Sequence, residues 1–63
     1  MDSNILPNLN EIVSPKQQFE VIKQTAENGN LSAMQKLSEY YKNGYGTAVD
    51  LEKAEYWSKR TSN

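Results

Sequence analysis

The sequence contains no cysteine and no histidine. No disulfide can staple it, and the thiolate and imidazole ligands of structural zinc sites are missing. Nucleophile–base pairs built on those residues are excluded with them. The serines lack an evident base and no carboxylate pair stands out, so neither catalytic residues nor a cofactor are expected. No apolar run approaches the ~18 residues of a membrane span. Residues 1–15 offer neither a basic start nor an apolar core long enough for a secretory leader. The expected location is cytoplasmic, with no membrane partner. Seven basic residues stand against eight acidic ones, for a formal net charge of −1. Lys16, Lys23, Lys36, Lys42, Lys53, Lys59 and Arg60 are interleaved with acids, which reads as a solvated face. A nucleic-acid partner held by phosphate neutralisation is not expected. The single Gly-Tyr-Gly is too little for a nucleotide loop.

A chain of 63 residues is one domain at most. A domain this small buries only about 60% of the surface its unfolded chain exposes. Its stability must come from helix packing, from self-association or from a partner.

Apolar residues recur at helical spacing in three stretches. Ser14, Pro15 and Gln17 open the first as cap, first helical residue and capping-box partner. That helix is expected over 15–28, with Phe19, Ile22 and Ala26 on one stripe, Val21 beside it, and Gly29 as its stop. Asn30 caps a second helix over 31–43. Its wide apolar face is Ala33, Met34, Leu37, Tyr40 and Tyr41, while Gln35, Lys36, Glu39 and Lys42 point away. Gly44 ends it. The loop from Gly44 to Val49 contains Gly46 and is too long for a minimal helix hairpin. Asp50 caps a third helix over 51–60, with Leu51, Ala54, Trp57 and Thr61 as its inner stripe. Glu52 near its start and Lys59 and Arg60 near its end complement the helix dipole. Residues 1–13 carry Ile5, Leu6, Leu9, Ile12 and Val13 but also Pro7 and three asparagines. They form either a disordered tail or an ordered strap over the first helix.

The fold expected is therefore all-α, with a helical domain at 14–63 behind a tail or strap at 1–13. Ala26, Gly29, Ala33, Leu37, Tyr41, Gly44, Gly46, Asp50, Lys53, Ala54 and Trp57 stand in a spacing that resembles the Sel1-like repeat, a relative of the tetratricopeptide repeat. Asn30 stands where that family prefers Asp. The resemblance covers about residues 26–62 and implies a helix–turn–helix unit of a solenoid. An ordinary tetratricopeptide repeat, with a period near 34 and a short turn, fits the glycine loop less well. Ser38 replaces a glycine of the pattern, which would set the helices farther apart there. Thr47 replaces a valine, and Thr61 and Ser62 replace a closing alanine pair. That last change reads as a terminal, capping solution.

An offset of 36 places Val13 on Val49, Lys23 on Lys59 and Thr25 on Thr61. It also sets Ser14 on Asp50, cap on cap, and Val21 on Trp57. The chain then reads as the second half of a worn repeat followed by one good repeat, a B-A-B solenoid fragment of three helices. The function expected is protein–protein interaction. Gln35, Glu39 and Lys42 would supply the groove side, and Tyr45 and Tyr56 aromatic contacts, since exposed tyrosines are enriched at interfaces. Tyr41 and Trp57 are expected to pack the helices. The partner would be another protein, or a second copy meeting an unfinished repeat end. A small stoichiometric inhibitor or immunity-type protein is the alternative.

Overall fold

The computed structural model describes residues 14–62. The tail-or-strap alternative for residues 1–13 lies outside them. Three α-helices are present: α1 (Pro15–Glu27), α2 (Leu31–Asn43) and α3 (Leu51–Ser62). Among the described residues there is no strand. α1 and α3 both pack on α2, and they do not pack on each other.

Short-range chemistry fixes each boundary. Ser14 Oγ accepts from the Gln17 N–H at 3.2 Å, and the Gln17 side chain accepts from the Ser14 N–H at 3.4 Å. Both halves of a capping box are thus formed ahead of Pro15. α1 ends one residue sooner than its spacing predicts, at Glu27, because Gly29 turns left-handed at φ 101°. The Gly29 N–H donates to Ala26 O at 2.9 Å and the Asn30 N–H to Thr25 O at 3.3 Å. These are the two bonds of a Schellman close. Asn30 then opens α2 with its side chain, Oδ1 accepting from the Ala33 N–H at 2.9 Å. One residue thus closes one helix and starts the next.

α2 ends at Gly44 (φ 72°), where the N–H groups of Gly44 and Tyr45 both donate to Tyr40 O. The chain returns to α2 before leaving it: the Asp50 N–H donates to Tyr41 O at 2.9 Å. Asp50 Oδ1 then accepts from the Lys53 N–H at 3.1 Å, capping α3. α3 runs two residues past its expected end. The Thr61 and Ser62 hydroxyls donate back to Ser58 O, occupying side chains that otherwise compete with helix.

The core is a single cluster of Phe19, Ala26, Ala33, Met34, Leu37, Tyr41 and Ala54, with Ile22, Tyr40 and Trp57 packed at its margin. Leu37 is its fully buried centre. Phe19 meets the Tyr41 ring edge-on, with centroids 5.4 Å apart, and so joins α1 to α2. Two expectations for α3 change. Leu51 is 65% exposed and does not belong to the inner stripe. It is the first helical residue, beside the end of antiparallel α2, where α2 offers Ser38 and Lys42 and no apolar cover. Ser38 does not act as a spacer: its hydroxyl donates to Ala54 O at 2.7 Å and ties α2 to α3. On α1, Val21 faces outward at 57% exposure.

The loop 44–50 also reaches α1. A Cβ on Gly46 would strike the carbonyl oxygen of Pro15 and come within 2.6 Å of Phe19 Cβ. Only a glycine lets this loop lie against the start of α1.

The flanking helices bury different faces. α1 turns Phe19, Ile22 and Ala26 toward the core, and α3 turns Ala54 and Trp57, with Thr61 half-buried one turn further on. At an offset of 36 the α3 positions matching Phe19, Ile22 and Ala26 are Glu55, Ser58 and Ser62, all exposed. The two buried faces are one residue apart in register, about 100° around the helix. α2 is thus clasped by two helices that present different sides to it, and the arrangement is open rather than closed into a bundle.

Candidate functional site

Two surfaces flank α3. The first is a groove between α2 and α3, about 580 Å³ in volume, lined by Gln35, Lys36, Ser38 and Glu39 from α2 and by Ser58 and Thr61 from α3. A smaller recess of about 240 Å³ continues it past Ser38 and Ser58 to Lys42, Leu51 and Glu55. Of the residues expected to bind a partner, Gln35, Glu39 and Lys42 therefore lie along one continuous furrow. Its walls are hydroxyls, an amide and charges of both signs, and Leu51 is the one large apolar side chain lining it. Such a surface can accept polar contacts from another chain but offers no enclosed cavity for a small molecule.

Tyr45 and Tyr56 are elsewhere. Tyr45 follows Gly44 and its ring lies against Tyr40, with centroids 4.7 Å apart. This is the apolar contact that accompanies a Schellman close, so Tyr45 has a structural duty at the end of α2 while remaining partly exposed. Tyr56, 53% exposed, stands on the far side of α3 from Ser58.

No family model, curated protein or solved structure matches this chain.

The second surface is the strip of α3 that contains Tyr56. Lys53, Tyr56, Trp57 and Arg60 are spaced i, i+3, i+4 and i+7 and fall within an arc of about 100°. The Tyr56 and Trp57 rings meet edge to face at 5.1 Å and 86°. The Arg60 guanidinium sits over both, 5.6 Å from the Tyr56 centroid and 5.4 Å from that of Trp57. Its Nη1 also donates to the Tyr56 hydroxyl at 3.4 Å. One turn toward the start of α3, the Lys53 ammonium lies 5.6 Å from the Tyr41 ring. Among the described residues the ion pair is Lys59 with Glu55, at 3.4 Å on another side of α3, and neither Lys53 nor Arg60 takes part in one. The i, i+3, i+4, i+7 spacing is visible in the sequence. It goes unread there because Lys53 and Arg60 read as part of a solvated charged face and Trp57 as helix packing.

Among the described residues no group of three or more acidic, histidine or cysteine side chains could hold a metal ion, and no polar or charged residue is buried. The strip presents hydrogen-bond donors, positive charge and aromatic rings.

Proposed function

We propose that this chain is a non-catalytic protein-binding module of the Sel1-like repeat class, one and a half repeats long, that holds a partner protein along the furrow between α2 and α3. The observation that carries the reading is the unequal use of the flanking helices. A closed three-helix bundle would bring α1 and α3 together with equivalent faces inward. Here they stay apart and bury faces one residue out of register, as successive units of a linear array do. An open array exposes a long, continuous side, and such sides are where repeat proteins bind.

Motif positions carry supporting detail. Ala26, Ala33, Leu37, Tyr41 and Ala54 are core, Gly29, Gly44 and Gly46 adopt positive φ, Asp50 caps α3, and Trp57 is half-buried at the core margin. Gln35, Glu39 and Lys42 are all exposed and uncommitted to packing. The polar residues of α3 that match the apolar face of α1 weigh against a second copy stacking there, so the expected occupant is a different protein.

The test is site-specific crosslinking in the native source. A photoreactive residue at Glu39 should trap one partner, and Gln35→Ala with Lys42→Glu should abolish the adduct while leaving the helical spectrum intact. A folded, high-melting monomer that yields no adduct from this furrow would overturn the proposal.

A further inference from the structure

The Lys53–Arg60 strip is geometrically separate from the furrow, and its chemistry selects a partner. We infer that it docks an extended acidic segment of a protein, with one carboxylate on Arg60 and a second on Lys53. This inference shares the protein-binding reading above but adds a surface and a ligand class to it.

The argument starts from Arg60. A guanidinium over an aromatic face is held electrostatically by the ring, and here two rings standing at 86° hold it together. Its long side chain is therefore partly ordered before any partner arrives, which lowers the entropy cost of docking. Of its five N–H donors one is directed at the Tyr56 hydroxyl. Among the described residues its other N–H groups have no acceptor, which leaves an edge of the fork for a carboxylate, whose two oxygens match that geometry. Trp, Tyr and Arg are also the residues that dominate binding energy at protein interfaces.

Lys53 supplies the second point. It lies seven residues before Arg60, about 10 Å along the helix axis. In an extended, polyproline-like peptide, residues i and i+3 share a side about 9 Å apart. A segment reading Glu-x-x-Glu can thus meet both cations at once. Asp50, three residues before Lys53, is occupied in capping α3. Glu55 is paired with Lys59. On α3 the remaining acid, Glu52, borders the strip, one turn before Tyr56 on the side away from Trp57. Single-stranded nucleic acid fits less well: its bases need open aromatic faces, and Arg60 already covers a face of Tyr56 and of Trp57.

The test is a ¹H–¹⁵N NMR titration of the full chain with a synthetic Gly/Ser peptide carrying one Glu-x-x-Glu. The Trp57 indole N–H and the Arg60 side-chain signals should shift, and the signals of Gln35 and Glu39 should stay. Replacing both glutamates by glutamine should abolish the shifts. Arg60→Gln should weaken binding about tenfold or more, Arg60→Lys should weaken it less than Arg60→Gln, and Glu52→Gln should strengthen it. Binding unaffected by Arg60→Gln, shifts confined to the furrow, or a larger response to oligothymidylate than to the peptide would overturn the assignment. The crosslink from Glu39 reads the furrow alone. An intact crosslink with an unresponsive strip would sink this inference and leave the function above standing.

Discussion

Gly46 offers the sharpest test of how this small fold is held. Three glycines have positive φ, and two of them form a controlled pair. At Gly29 (φ 101°) an added Cβ would meet nothing within 4 Å. Gly29→Ala should therefore cost only the left-handed backbone penalty, about 1–2 kcal/mol. At Gly46 (φ 73°) the same methyl would run into the Pro15 carbonyl and Phe19 Cβ at the start of α1. Neither atom can rotate away, so the loop must lift from α1. An overpacking cost of about 1–3 kcal/mol adds to the backbone term, for about 2–5 kcal/mol in all. At about 0.05–0.15 kcal/mol per residue, the described residues 14–62 account for on the order of 2.5–7.5 kcal/mol of stability. Gly46→Ala should thus remove much of it and Gly29→Ala a smaller part.

Urea unfolding followed by far-ultraviolet circular dichroism and Trp57 fluorescence measures both. Asparagine separates the two causes, because it tolerates the left-handed region but carries a Cβ. Gly29→Asn should recover a good part of the loss seen with alanine, whereas Gly46→Asn should remain as damaging as Gly46→Ala. Equal losses at the two sites, or rescue by asparagine at Gly46, would refute the claim that close approach of the loop to α1 decides that position.

Asn30→Ala removes the side-chain cap of α2 and should cost about 1 kcal/mol by urea unfolding, while Asn30→Asp keeps the acceptor and should fall within about 0.5 kcal/mol of the parent. Ser38→Ala deletes the hydroxyl bond to Ala54 O and should cost about 0.5–1.5 kcal/mol, seen as a fall in Tm of roughly 4–8 °C per kcal/mol. Replacing Glu55, Ser58 and Ser62 by Phe, Ile and Ala copies the buried face of α1 onto the open side of α3. This triple variant should self-associate with rising concentration in sedimentation velocity, where the parent shows less tendency to do so.

The helix boundaries were legible because their causes are local. Ser14 with Gln17, Asn30 and Asp50 act within three residues, and Gly29 and Gly44 act through their own φ. The core face of α2 was legible because that helix is covered on two sides, which produces a wide and regular stripe. The misplacement of Leu51 has a different origin. Spacing put it in line with Ala54, but burial depends on what the neighbouring helix presents, and α2 presents Ser38 and Lys42 near that turn. The Ser38–Ala54 bond spans 16 residues, and nothing near Ser38 in sequence reveals its acceptor. In the candidate site, the grouping of Gln35, Glu39 and Lys42 followed from helical periodicity alone. The role of Tyr45 at the close of α2 could have been read from its place after Gly44. The Arg60 cluster needed coordinates, because whether a guanidinium covers a ring depends on rotamers.

The outward sides of α1 and α3 differ in what they can bury. On α1 the positions that match Ala54, Trp57 and Thr61 are Gln18, Val21 and Thr25, uncharged and with one exposed aliphatic side chain. On α3 the positions that match Phe19, Ile22 and Ala26 include Glu55, already paired with Lys59 in water. Covering that side with another helix would strip solvent from an ion pair and two hydroxyls, and each needs a new partner to avoid a penalty. Covering the α1 side asks only that one amide and a threonine keep hydrogen bonds, which another polar chain can supply. The outward side of α3 is therefore the costlier of the two to cover with another apolar helix. Under the proposed reading, recognition falls to surfaces whose polar groups already point outward, the furrow along Gln35, Glu39 and Lys42 and the strip from Lys53 to Arg60.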